Sequence, residues 1–167
     1  MRIAEVVHGV PFANAAHGNI IQFFDEKGKL HTVLKVRGEQ CDGVLFLKTH
    51  QPDSFAEISW LRDDRNPRPN DTVLEFPDAV LISKEFSQLP NGRAPNTGDL
   101  TIHHDGTMML LSGAHSCARY VDMKTGNTAL ANAGVTPALV VSRWAIVART
   151  DDATTPLVQF PQLATAL

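Results

Sequence analysis

The sequence predicts a mainly β fold, an antiparallel β-sandwich or barrel built from successive hairpins with little helix. Three observations predict it. Apolar residues come in short runs cut by Gly, Asp and Pro, as strands joined by tight turns require. Several runs alternate apolar and polar residues, the period of a strand with one buried face. Helical periodicity is scarce: no window of about eleven residues carries an i, i+3, i+4, i+7 stripe. The chain has 167 residues, enough for one domain spanning 1–167 to bury a core without a metal or disulfide.

The elements follow in order. Residues 20–24 and 30–36 flank Asp25-Glu26-Lys27-Gly28-Lys29. Gly28 can take the left-handed conformation that closes a type I turn with a bulge, so this reads as a hairpin with Phe24 facing Leu30 and Phe23 facing His31. A second hairpin is expected to turn at Asp42-Gly43, between Cys41 and Val44, because both central residues of such a turn need positive φ. Residues 55–61 alternate: Phe55, Glu57, Ser59 and Leu61 share one face, Ile58 and Trp60 the other. Residues 62–71 hold two prolines and several charges and read as a loop. Residues 72–76 and 79–83 read as strands, 84–89 as one helical turn ended by Pro90, and 91–98 as a loop.

A third hairpin pairs 100–104 with 107–111 across Asp105-Gly106. In that register Leu100, Ile102, His104, Thr107, Met109 and Leu111 share a face. A fourth joins 117–121 to 128–130. Residues 138–147 are nearly continuous apolar, as a central strand would be, and Pro156 and Pro161 mark the tail as an edge strand. The expected core includes Ile20, Phe24, Leu30, Leu34, Leu45, Leu47, Ile58, Trp60, Leu74, Leu81, Ile102, Met109, Leu111, Val140, Trp144 and Ile146.

Charge and composition narrow the function. The net charge of −3 supplies no field for a phosphate backbone, and no cluster of Lys and Arg occurs, so nucleic acid is not an expected partner. No apolar run reaches the length needed to span a bilayer, and Glu5 and His8 interrupt the opening apolar stretch, so neither a membrane span nor a signal peptide is expected. Cys41 and Cys117 form no spaced framework and read as reduced thiols of a cytoplasmic protein.

No phosphate loop, dinucleotide turn, zinc-protease helix or serine elbow is present. His103, His104, His115 and Asp105 are metal-ligand types, but adjacent strand residues point to opposite faces, so no metal or other cofactor is expected. The remaining cluster is His115, Cys117 and Arg119, alternate residues that an extended strand places on one face. Arg119 favours the thiolate of Cys117, whereas Asp42 disfavours one at Cys41. Cys117, His115 and Arg119 are therefore the catalytic candidates. The leading expectation is a non-catalytic binding or assembly module, with a protein or small-molecule partner the residues do not name and an oligomer possible. The alternative is a small Cys/His-dependent hydrolase or transferase using Cys117.

Overall fold

The computed structural model describes residues 8–48, 56–60, 66–87, 95–103, 105–113, 118–131, 139–149 and 154–160. In chain order the strands are β1 (His8–Pro11), β2 (Ile20–Phe24), β3 (Leu30–Arg37), β4 (Asp42–Lys48), β5 (Ile58–Trp60), β6 (Thr72–Phe76), β7 (Val80–Ser87), β8 (Leu100–Ile102), β9 (Met108–Ser112), β10 (Arg119–Asp122), β11 (Thr128–Leu130), β12 (Leu139–Arg149) and β13 (Thr154–Phe160). They form two antiparallel sheets. The first has the order β1-β6-β2-β3-β4-β5. The second runs β11-β10-β9-β8-β12-β13, with β7 paired to β12. The mainly β fold with little helix read from the sequence is the fold observed, and of the sandwich and the barrel it is the two-sheet sandwich.

The inner faces share one core. Ile20, Leu34, Val36, Leu45, Leu47 and Phe76 of the first sheet meet Leu100, Leu110, Val121, Val141, Trp144 and Ile146 of the second. Strand β12 is the spine of the second sheet: its first residues pair with β8, its later ones with β13, and its other edge with β7. The register shifts between Ile146 and Val147, opposite Pro156, where the missing N–H of proline costs no ladder bond.

The first sheet is buried on its outer face as well. Phe12, Ala15, Ile21, Phe23, Val33, Val44, Phe46 and Val73 pack there under the segment that follows β1. That segment makes a single 3-10 turn (Phe12–Asn14) behind Pro11. A turn that short cannot satisfy its own last carbonyls. Lys35 does it instead. Its side chain is 2% exposed, and its Nζ donates to the carbonyls of Phe12 (2.9 Å), Ala13 (3.2 Å) and Ala15 (2.7 Å), with the Phe12 ring 4.9 Å away. Burial pulls the Lys35 ammonium down from its ordinary range.

Two backbone bridges tie the sheets together. Arg37 lies in parallel register with Asn127, its N–H donating to Gly126 O (2.8 Å). Glu57 lies in parallel register with Gly113, whose N–H donates to Ala56 O (3.0 Å). The first bridge requires glycine on both sides. Gly18 and Gly126 have φ of +82° and +71°, and a Cβ on Gly126 would stand 2.5 Å from Lys35 O and 2.6 Å from Gly18 N.

The structure corrects four expectations. The β3–β4 turn is 38–41, closed by Gly38 N–H to Cys41 O (3.0 Å), and Asp42 and Gly43 are already in β4, opposite Arg37 and Val36. Gly43 serves packing: a Cβ there would lie 2.8 Å from Trp60 Cε3. Residues 84–87 continue β7 rather than turning into helix, because β12 supplies a ladder through Glu85 and Ser87. The third hairpin has a three-residue loop: Leu100 faces Leu110, Thr101 faces Met109 and Ile102 faces Met108, with Gly106 at φ +81°. That one-residue difference places Leu110, not Met109 or Leu111, in the shared core. Phe24, Leu30 and Leu74, expected inside, are 67%, 37% and 41% exposed. They share a face with Ile20, Leu34 and Phe76 but lie further along their strands, away from the shared core.

Two stability measurements check this account. Lys35→Met should lower the unfolding free energy by about 3 kcal/mol, because buried carbonyls lose their donor. Gly126→Ala should cost at least about 3 kcal/mol, and Gly28→Ala, whose Cβ would meet nothing within 4 Å, only about 1 kcal/mol. Urea unfolding of the variants reads both.

Candidate functional site

An open cleft of about 300 Å³ lies where the two sheets meet, lined by Gly38, Glu39, Gln40, Cys41, Trp60 and Arg119. Its floor is an indole. Trp60 and Ile58 pack toward the shared core, and Trp60 pairs with Gly43 across the β4–β5 ladder. The ring lies against the backbone of both neighbouring glycines: a Cβ on Gly38 would stand 2.6 Å from its Cζ3. Asn66 Nδ2 donates to Trp60 O (2.7 Å) and holds the end of the strand.

Arg119 comes from the other sheet. It pairs with Ser112 and Leu130 and shares a face with Val121, so its side chain points inward between the sheets. Its guanidinium carbon stands 5.8 Å from the Trp60 ring centroid, within cation–π range. Among the described residues no carboxylate pairs with this guanidinium. Glu39, Gln40 and Cys41 form an exposed rim on the 38–41 turn.

The cleft is framed by the two inter-sheet bridges. The rim follows Arg37 of one bridge, while Trp60 lies three residues after Glu57 of the other. Arg119 pairs with Ser112, the neighbour of Gly113. The rim is braced further by His17, whose Nδ1 accepts from Arg37 Nη2 (3.1 Å) and whose Nε2 lies 2.9 Å from Asp42 Oδ1. Arg37 and Asp42 are the closing pair of the turn, so the imidazole sits against both of its ends, hydrogen-bonded at Arg37 and in close ionic range of Asp42.

Of the three catalytic candidates, Arg119 is placed against Trp60 rather than assigned to a thiol. Cys117 and His115 lie outside the described residues, as does His104. Cys41, the described cysteine, is exposed on the cleft rim. Sequence reasoning singled out Arg119 for a different role and counted Trp60 as core alone. The pair is 59 residues apart, and Gly38 and Gly43 bracketing the turn were the one local hint of an aromatic ring laid on the backbone.

His17, His31 and His103 have structural partners. His31 Nε2 donates to Asp25 Oδ2 (3.0 Å), and its ring packs between Phe23 and Phe46 at centroid distances of 5.4 and 5.5 Å. His103 Nε2 donates to Thr101 Oγ1 (3.2 Å), whose own proton goes to Met109 O, and its ring meets Tyr120 edge to face. Burial raises the Tyr120 phenol above its usual range. Asp105 accepts from Thr107 N–H (2.9 Å), and its hydrogen bonds to Thr107 hold its carboxyl below the usual range. No group of three His, Cys, Asp or Glu converges among the described residues. No helix among them is long and apolar enough to cross a membrane.

Comparison with known proteins gives no match to a family model, a curated protein or a solved structure.

The Asp25–His31 pair yields a pH prediction. The imidazole, followed by the backbone N–H of Lys29, holds the Asp25 carboxyl at about 2, against an ordinary 3.8. A depressed carboxyl contributes stability that is present above 3.8 and lost as pH falls toward 2. NMR titration of the Asp25 side-chain carboxyl should give a midpoint near 2, and His31→Ala should move it up toward 3.8.

Proposed function

We propose that the chain is a non-catalytic binding module of a soluble cytoplasmic protein, and that the cleft over Trp60 is where it binds. One observation carries this reading. An aromatic ring and a guanidinium from different sheets, the guanidinium without a carboxylate partner among the described residues, converge at an open cleft beside two backbone bridges. The lining sets Glu39, Gln40 and Arg119 around one aromatic ring, polar groups able to fix the orientation of a small ligand. Among the described residues the cleft lining offers no imidazole, and His17, His31 and His103 hold a turn, a hairpin and a tyrosine instead.

A fragment screen by two-dimensional NMR tests the reading. Fragments that bind should shift the amides of residues 38–41 and the Trp60 indole, and should be recovered chemically unchanged after long incubation. Hits that cluster elsewhere would remove the cleft as the site. Conversion of a hit, abolished by Cys117→Ala, would establish the thiol enzyme instead.

A further inference from the structure

Resting on that reading, we infer that the ligand at the cleft is a short extended peptide, added as a strand to the free edge of β11 with an acidic side chain on Arg119. The ladder shows where the edge is free. Ala131 N–H donates to Ala118 O (3.0 Å), and Asp122 N–H donates to Asn127 O (2.9 Å). Bonded and non-bonded pairs alternate along an antiparallel ladder. Asn127, Ala129 and Ala131 therefore turn their backbone groups to β10, and Thr128 and Leu130 turn theirs to the far edge. At Thr128 that edge is taken: Thr128 Oγ1 donates to Arg37 O (3.1 Å), and Arg37 lies in parallel register with Asn127. At Leu130 the edge is open, because β3 ends at Arg37 and the chain turns back through 38–41. Among the described residues nothing bonds the Leu130 N–H or C=O, and Leu130 is 49% exposed.

An edge N–H and C=O without partners are a template for strand addition, in which main-chain bonds hold a peptide and side-chain contacts select it. Arg119 supplies the selection. It stands directly opposite Leu130, so its side chain shares a face with any peptide residue paired to Leu130. It is partly buried, rests on Trp60 and has no carboxylate partner among the described residues. The indole takes the flat side of the guanidinium and leaves the in-plane N–H groups, the ones that bind a carboxylate. Glu39 lies on the rim of the same cleft. Its charge opposes a second anion, so the fitting peptide carries one acidic residue and not a run of them.

The whole protein is titrated with an acetylated, amidated Thr-Val-Glu-Val-Thr peptide and followed by two-dimensional NMR and amide hydrogen exchange. The Leu130 amide should exchange fast in the free protein and become protected at saturation. The Trp144 indole, whose Nε1 donates to Gly98 O (2.9 Å) inside the core, is the internal reference and should not move. Exchanging the peptide's Glu for Gln should weaken binding about tenfold, the worth of one charge-assisted hydrogen bond. Arg119→Gln should make the two peptides equal. Leu130→Pro removes an N–H that the β10 ladder does not use, at an edge position that proline tolerates. It should abolish binding and leave Trp144 in place, as should N-methylation of the peptide's three central residues in the unaltered protein. Shifts at Trp60 and 38–41 without protection of Leu130 would overturn the strand inference and leave the binding cleft standing. Equal affinity of the Glu and Gln peptides in the unaltered protein would overturn the acidic contact and the inference with it. Protection of Leu130 in the free protein also sinks it: rising with protein concentration, it assigns the edge to a second copy, and at a constant level to the chain itself. If millimolar peptide moves neither Leu130 nor Trp60, the cleft reading and the inference fail together.

Discussion

A single buried cation organises one side of this molecule. Lys35 sits in the middle of a strand covered on both faces, where an isolated ammonium would be costly. The position is viable because three backbone carbonyls converge on it. The dependence is mutual: Phe12 O also accepts from Ala15 N–H, but the carbonyls of Ala13 and Ala15 rely on the ammonium. The same residue also holds the segment through its backbone: Gly18 N–H donates to Lys35 O, and Lys35 N–H donates to Asn19 O. Glu75 adds a further tie by accepting from Ala16 N–H and Asn19 Nδ2.

From this point the constraint passes to the cleft in short steps. With the 12–19 segment fixed, Gly18 presents bare backbone to the turn of the β10–β11 hairpin, and Gly126 answers with bare backbone of its own. That close approach lets Gly126 O reach Arg37 N–H and brings Thr128 Oγ1 to Arg37 O. Arg37 is the last residue of β3, so its position sets where the 38–41 turn begins. His17, on the same anchored segment, then spans the turn from Arg37 to Asp42. The rim is thus held by a segment whose own anchor is Lys35, two residues up the strand. Its geometry is set by the fold itself.

Strand identity was legible in the sequence because alternation and punctuation are local signals; register was not, because it depends on loop length. The 25–29 and 103–107 loops are the same device, a three-residue connection with a left-handed glycine third, at Gly28 and Gly106. Asp25 and Gly28 stand three apart and announce the loop, whereas Asp105-Gly106 imitates a two-residue turn and shifts the reading by one. Asp42-Gly43 imitates the same turn, but its glycine answers to an aromatic ring across the ladder. Exposure of Phe24 and Leu30 was likewise invisible locally, because a strand's pattern does not tell where the opposite sheet ends. Trp60 and Arg119 each carried a local reading, core residue and thiol activator, and only the topology brings them face to face.

The placement of the cleft follows from how two twisted sheets meet. Where the inner faces are in full contact, apolar side chains fill the gap, as Leu45, Val121 and Trp144 do. At an edge the sheets must either close with continuous hydrogen bonds or leave an opening. This fold does some of each: two parallel bridges, Arg37 with Asn127 and Glu57 with Gly113, close the backbone at separated points. Between them, among the described residues, no ladder runs, and the opening is lined by one large ring and one long cation. An arginine in such a gap can rest its guanidinium on the indole while its donors face the opening, an arrangement a lysine's compact ammonium would match poorly. The opening is therefore a product of incomplete sheet closure, and its chemistry is set by the two side chains, Trp60 and Arg119, that the closure leaves facing each other.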